Sequence, residues 1–390
     1  MKIQKLKDIC LTEITDGTHQ TPTYSEYGYI FLSSKNVTTQ KIDWDNVMFI
    51  PEKLHEELYK RVAPQIDDIL LAKNGTTGVA AIVDRDIVFD IYVSLALIRP
   101  NTEIVMPRYL LYAINNPVVK GYFDSSLKGI GVPNLHLKNI RETPIKIYDL
   151  ETQKAIVEKL DRICELISLR KQQLAKLDEL VKARFVEMFG DCKTNPKNWK
   201  TKALEKIANV GSSKRVFVEE LQDSGIPFYR GTEISTLAEK KAVIPALFIT
   251  EEHYKQLCET TGKPQKGDLL MPSICPDGRI WIVDTDEPFY FKDGRVLWVH
   301  LTSANYNSVF LLYTLKDRIM TDYASIASGT TFAELKIFAL KRCKVFDVPL
   351  ELQNQFANFV ERVDQQKQTV QQSLEKLELM KKALMQEYFW

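Results

Sequence analysis

Leu150-Glu151-Thr152-Gln153 returns two hundred positions later as Leu350-Glu351-Leu352-Gln353, and the register then holds without a gap to the paired ends Met188-Phe189 and Tyr388-Phe389. Within it Asp161-Arg162-Ile163 faces Glu361-Arg362-Val363, and Lys182-Ala183 faces Lys382-Ala383. Both copies read as helix. Ile156, Leu160, Ile163 and Ile167, then Leu174, Leu177 and Val181, recur at spacings of four and three, which places them on one helical stripe. Phe356, Val360, Val363, Val370, Leu374, Leu377 and Leu384 make the matching stripe. No Pro or Gly interrupts residues 151–189, and the flanking Lys, Glu, Gln and Arg are strong helix formers. Asp149 is placed to cap the first helix, Pro349 to occupy the first turn of the second, and Gly190 to stop the first.

Each helix spans about 60 Å at about 1.5 Å per residue, too long for one small domain to cover its stripe. The natural partner is the other copy, so the pattern predicts an antiparallel coiled coil inside the chain. A stripe of this period also suits a helix that packs on its own domain. Arg170 and Arg184 interrupt the first stripe where Val370 and Leu384 continue the second, so the copies are similar but not identical.

The segments before the two helices correspond more loosely. Gly28-Tyr29-Ile30-Phe31-Leu32 resembles Gly225-Ile226-Pro227-Phe228-Tyr229, and Asp68-Ile69-Leu70-Leu71 resembles Asp268-Leu269-Leu270-Met271. Each of the latter leads through a Gly-containing loop to Ile82-Val83-Asp84 or Ile282-Val283-Asp284. Strand-like runs at 69–71, 79–83 and 87–98 alternate with helical stretches at 52–61, 108–115, 251–259 and 309–323. The expected fold class is α+β, with four segments in order: residues 1–149, a helix at 150–190, residues 191–348, and a helix at 349–390. A common frame thus carries two divergent globular parts, each of about 150 residues and large enough for its own core.

The 390 residues include 52 Lys plus Arg and 51 Asp plus Glu, a net charge of +1, which excludes a protein coated in basic charge. Neutrality is not an average over opposite halves, since residues 1–190 hold 25 basic and 25 acidic residues. Hydrophobic residues at 45% exclude a disordered chain. The six cysteines and five histidines are scattered without the short spacings of a zinc site, so no metal is expected. No apolar run approaches a membrane span and no secretory signal is read at the start, which predicts a cytoplasmic protein.

Loops bordered by Gly carry the residue types that contact DNA. In the first part these are Thr18, His19 and Gln20; Ser34, Lys35 and Asn36; and Lys73, Asn74, Thr76 and Thr77. In the second they are Ser213, Lys214 and Arg215; Tyr229 and Arg230; Ser273 and Arg279; and Thr330 and Thr331. Asn and Gln amides match adenine edges, Arg and Lys match guanine, and hydroxyls position phosphates. Catalytic motifs are missing. Gly262-Lys263-Pro264 lacks the rest of a phosphate-binding loop, and the run by which amino-methyltransferases grip a target amine is absent. Glu334-Leu335-Lys336 has the E-x-K form of metal-dependent nucleases, but its counterpart His136-Leu137-Lys138 has lost the carboxylate. The reading is a binder with no catalytic residue of its own.

Two variable domains, each followed by a long helix that opens on L-E-x-Q and closes on Lys-Ala then Met-Phe or Tyr-Phe, resemble the specificity subunits of type I restriction–modification systems. The resemblance covers the whole chain. It implies a DNA-binding, non-catalytic subunit whose two target recognition domains each read half of a bipartite site in double-stranded DNA, with the helices fixing the spacer. It further implies two methyltransferase subunits that modify adenine N6 with S-adenosylmethionine, and restriction subunits that use ATP and Mg. Those cofactors belong to the partners and none to this chain. One alternative is a specificity chain serving a methyltransferase-only or other defence complex. A rival of another class is a coiled-coil scaffold that never touches DNA; duplex binding that weakens with salt is the observation that would discriminate against it.

Overall fold

The structure, a computed structural model, describes residues 1–127, 134–329 and 333–390. It forms two compact units, Met1–Lys171 with Gln372–Trp390, and Gln172–Gln371. Each unit therefore takes one globular part and half of each long helix.

In the first unit a four-stranded sheet runs Thr15–Asp16, Leu95–Ile98, Ile69–Ala72, Ala80–Ile82, and a three-stranded sheet runs Met48–Ile50, Tyr29–Leu32, Phe89–Ile91. Lys2–Lys5 pairs antiparallel with Pro144–Ile147. The second unit repeats this plan strand for strand. Its four-stranded sheet runs Ala208–Gly211, Val296–Leu301, Leu269–Pro272, Trp281–Ile282, and its three-stranded sheet runs Phe248–Ile249, Ile226–Tyr229, Tyr290–Phe291. Thr201–Ala203 pairs with Lys344–Phe346. The parallel strand pairing within the three-stranded sheet recurs too, as Ile30 against Phe89 and as Phe228 against Tyr290. Gly28 and Gly225 hold the same tight place, at φ of 142° and 130°; a Cβ there would lie 2.3 Å from the Ile50 carbonyl oxygen or 2.5 Å from that of Ile249.

The predicted helical stretches appear as Glu52–Tyr59, Pro107–Ile114, Glu251–Thr261 and Ser308–Ile326. The run at 87–98, continuous in its apolar pattern, is two strands in different sheets, with a turn closed by Leu95 N–H to the Tyr92 carbonyl at 2.9 Å. A periodic apolar run cannot report that its backbone changes sheets midway.

The long helices span Leu150–Phe189 and Leu350–Phe389. Asp149 caps the first by accepting from Thr152 N–H at 2.9 Å, and Gly190 ends it at φ 84°. In both units the helices pack antiparallel. In the first unit Lys159 Nζ donates to the Tyr388 hydroxyl at 3.3 Å and Lys171 pairs with Glu378 at 2.9 Å. In the second Lys367 pairs with Asp178, and the Phe356 ring lies 5.4 Å from Phe185 and 5.6 Å from Phe189.

The stripe is buried in two ways at once. Ile156 and Leu160 join the first unit's core beside Tyr109, Met385 and Phe389, with Ile163 also buried. Val181, Phe356, Val360 and Val363 join the second unit's core. Val370 and Leu374 are buried, while Ile167, Leu174, Leu177, Leu377 and Leu384 are half-buried along the pair. Helix pairing is thus one of two contacts the stripe makes. Phe185, Phe189, Met385 and Phe389, which the stripe reading passes over, anchor the helix ends to the globular cores. Among the described residues no helix is long and apolar enough to cross a membrane.

The L-E-x-Q repeat has a physical cause. Gln153 is fully buried; its Oε1 accepts from Met106 N–H at 2.9 Å, and its Nε2 donates to the carbonyls of Ile104 (3.0 Å) and Tyr148 (2.8 Å). Gln353 is equally buried and makes the same three bonds, to Asn307 N–H (2.9 Å), Asn305 (3.1 Å) and Val348 (2.9 Å). Each glutamine pins the start of its helix to the loop ahead of a core helix, satisfying three buried backbone groups.

Candidate nucleic-acid interface

The candidate loops of the first part converge on residues 91–94, the turn between its two sheets. Thr18 bridges Tyr92, and the Thr18 carbonyl accepts from Val93 N–H at 3.0 Å. The Ser94 hydroxyl accepts from Ser34 N–H at 3.0 Å, and its carbonyl accepts from Lys73 N–H at 2.8 Å. Three loops distant in sequence thereby share one edge. His19, Gln20, Lys35 and Thr76 are exposed there, with Thr18, Ser34, Asn74 and Thr77 half-buried.

Two residues of the set point inward. Asn36 is buried, accepts from Ser33 N–H at 3.0 Å, and donates to the carbonyls of Asp43 and Asn46 at 3.2 and 2.9 Å. Lys73 is buried with its ammonium on Asp16, a carboxylate that also accepts from His19 at 3.2 Å. Their polar atoms hold the loops together. Polar type and a neighbouring Gly cannot reveal this, because a turn that caps itself uses the same residues as one that faces a ligand.

The second part builds its edge at the matching place, residues 292–295. Lys292 N–H donates to the Tyr229 carbonyl at 2.9 Å, as Tyr92 does to Leu32, and Ser273 N–H donates to the Arg295 carbonyl at 2.8 Å, as Lys73 does to Ser94. Ser213 Oγ donates to the Phe291 carbonyl at 2.5 Å, and Arg215 pairs with Asp293 at 3.2 Å. Ser273 is buried, Ser213 and Tyr229 are half-buried, and Lys214, Arg215 and Arg230 are exposed. Burial, then the nearby Glu233, raises the Tyr229 hydroxyl above its ordinary range. Arg279 stands apart, paired with Asp277 at 2.6 Å and Glu239 at 3.4 Å. Thr330 and Thr331 lie outside the described residues.

Two groups at this edge were not among the sequence candidates. Arg295 is exposed and its guanidinium pairs with Glu334, the carboxylate of the E-x-K run, which also accepts from Lys336 at 3.3 Å. Glu334 is thus held by two cations. Glu233 accepts from Arg230 N–H at 2.9 Å and from its guanidinium at 2.7 Å. Burial opposes ionisation of Glu233, but Arg230 and Thr232 hold its carboxyl down at about 2. Among the described residues no three His, Cys, Asp or Glu side chains are grouped to hold a metal ion.

Residues 1–179 and 196–379 each match the family model of the type I restriction modification DNA specificity domain. A relative assigned as the MjaX type I restriction enzyme specificity subunit of Methanocaldococcus jannaschii is 23% identical over 98% of this chain and 91% of its own. The EcoBI specificity subunit of Escherichia coli is 25% identical over 40% of this chain and 33% of its own length. The type I restriction–modification S subunit of M. genitalium shares the fold, with a TM-score of 0.59 at 14% identity over 100% of this chain and 96% of that one. A second type I R-M chain, solved in connection with complex assembly and conformational transition, also gives 0.59, at 18% identity over 100% and 97%. With the domain present twice and filling nearly all its length, the chain belongs to the specificity subunits of type I restriction–modification systems, which are non-catalytic.

Proposed function

We propose that this specificity subunit reads a bipartite site in double-stranded DNA, one half-site per globular part, and presents it to partner subunits. The observation that carries the reading is a frame whose bonds around Gln153 and Gln353 repeat, in two parts whose loop edges stand at matching places but carry different side chains. Identical frames with different edges suit two unlike half-sites.

Two methyltransferase subunits bind around the helices and methylate adenine N6 with S-adenosylmethionine; restriction subunits add ATP- and Mg-dependent translocation and cleavage. This chain holds none of those cofactors and works in the cytoplasm with them. The paired helices convert length into spacer. Inserting one turn, four residues or about 6 Å, after Lys171 and again after Gln371 lengthens the spacer by about one or two base pairs. The near-neutral chain binds duplex weakly alone, with affinity that falls as salt rises, and tightly with its methyltransferase.

The test is a map of methylated adenines in DNA from cells expressing the chain with its methyltransferase. Two constant blocks separated by an unspecified spacer are expected, and the insertion variant shifts only the spacer. A single continuous block, or an unchanged spacer in the variant, contradicts the reading.

A further inference from the structure

The two edges differ in a patterned way. Where the second part has Arg230 and Glu233, the first has Ser33 and Asn36, and the backbone bond is the same: Arg230 N–H to Glu233 at 2.9 Å, Ser33 N–H to Asn36 at 3.0 Å. Where the second has Arg295 beside Glu334, the first has Ser94 and Asn134; the backbone bonds thus correct the sequence pairing of Glu334 with His136 by two residues. The match is fixed by the Lys73 and Ser273 amides, which donate to the Ser94 and Arg295 carbonyls, and by the Leu135 and Leu335 amides, which donate to the Lys73 and Ser273 carbonyls. The fold is therefore built equally well without either arginine. Glu233 caps its helix through the Arg230 N–H, but both guanidiniums lie at the surface, where an ion pair adds little stability, so the fold explains neither arginine.

What the pairs do supply is orientation. Arg295 gives only Nη1 to Glu334, which leaves its Nε–Nη2 edge without a partner among the described residues. Arg230 gives Nε and Nη2 to Glu233 and leaves Nη1 open. The two side chains are 58% and 46% exposed. Their segments adjoin, since a Cβ on Gly231 would lie 3.5 Å from the Arg295 carbonyl oxygen. A guanidinium anchored by a carboxylate, through one nitrogen at Arg295 and one edge at Arg230, offers its remaining donors in a restricted orientation, the arrangement that matches O6 and N7 of guanine. Serine and asparagine at the matching places offer no such fork.

We propose that Arg295 and Arg230 read guanine in the half-site of the second globular part, with Glu334 and Glu233 as positioning residues, and that the first part reads no guanine from the corresponding positions. The inference rests on the DNA-reading function proposed above and deepens it.

The test maps methylated adenines made by the intact specificity–methyltransferase complex carrying R295A, R295K, R230K or E334Q. Wild type shows G·C pairs in one half-site. R295A and R295K each relax one of them, raising methylation at the wrong base roughly ten- to a hundredfold, and R230K relaxes another. E334Q relaxes the Arg295 position by less. The other half-site and the spacer stay unchanged throughout. R295K keeps the charge and separates loss of the fork from loss of folding. Unaltered discrimination in R295A and R295K, or a half-site without G·C pairs, overturns the proposal while leaving DNA reading intact. A uniform fall at every site, rescued by R295K, marks a phosphate contact and overturns it too. Absence of any two-block motif in wild type overturns the DNA-reading function and this inference with it.

Discussion

The helix starts and the loop edges obey opposite rules. At the helix starts Gln153 and Gln353 are both fully buried and make the same three hydrogen bonds to matching backbone groups. At the loop edges the backbone bonds also match, yet Ser33, Asn36, Ser94 and Lys73 stand where Arg230, Glu233, Arg295 and Ser273 stand in the other part. The buried glutamines that fix the helix starts are kept in kind, whereas loop positions on matching backbone bonds diverge, even where both members are buried, as at Lys73 and Ser273. A repeated frame with divergent edges is what a two-headed reader requires.

The sharpest way to break the comparison is to attack the frame at its anchors. Phe356 is fully buried against the rings of Phe185, Phe189 and Tyr313, so F356A costs about 3–5 kcal/mol, and I156A at the matching place costs about 2–5 kcal/mol. Denaturant unfolding reads both; losses under about 1 kcal/mol mean the helix ends are not core elements. Next come the pins. Q153A and Q353A each strand one buried N–H and two buried carbonyls, at about 1–3 kcal/mol. The frame account expects the two losses to agree closely, and a tolerated change at one glutamine alone breaks the symmetry. R295A, by contrast, should leave stability within about 0.5 kcal/mol, because it removes an exposed pair.

A separate effect is on acid stability. The Glu233 carboxyl titrates at about 2 when folded, below its ordinary value of 4.5, so its contribution is present above pH 4.5 and fades as pH falls toward 2. E233Q removes that part of the acid limb, and its thermal midpoint should converge with wild type as pH drops through this window. Asn36, the counterpart in the first part, has no proton to gain, so N36A shifts the midpoint by an amount independent of pH in the same range. A pH-independent gap for E233Q means the pairing with Arg230 does not hold the carboxylate.

Much of the frame was legible in the sequence because it is written twice. The repeat located both helices, and the caps at Asp149 and Gly190 lie where residue type put them. The stripe did not say what covers it, since a period of 3.5 looks alike against a helix or a domain core; Ile156 and Val181 face both. The candidate loops were located, but their inward-turned members were not, because Asn36 and Lys73 differ from exposed neighbours only in what folds over them. Arg295 escaped notice because it follows Asp293-Gly294 in a run that reads as an ordinary turn into a strand. Only the amide of Ser273 on its carbonyl and the carboxylate of Glu334 on its guanidinium mark it as placed.

The measurement that tests the central claim most directly is the adenine methylation map of a chain in which residues 1–149 are replaced by the corresponding part of another specificity subunit. A common frame under two independent readers predicts that one half-site changes while the other half-site and the spacer stay as they were. A change in both half-sites, or in the spacer, contradicts it.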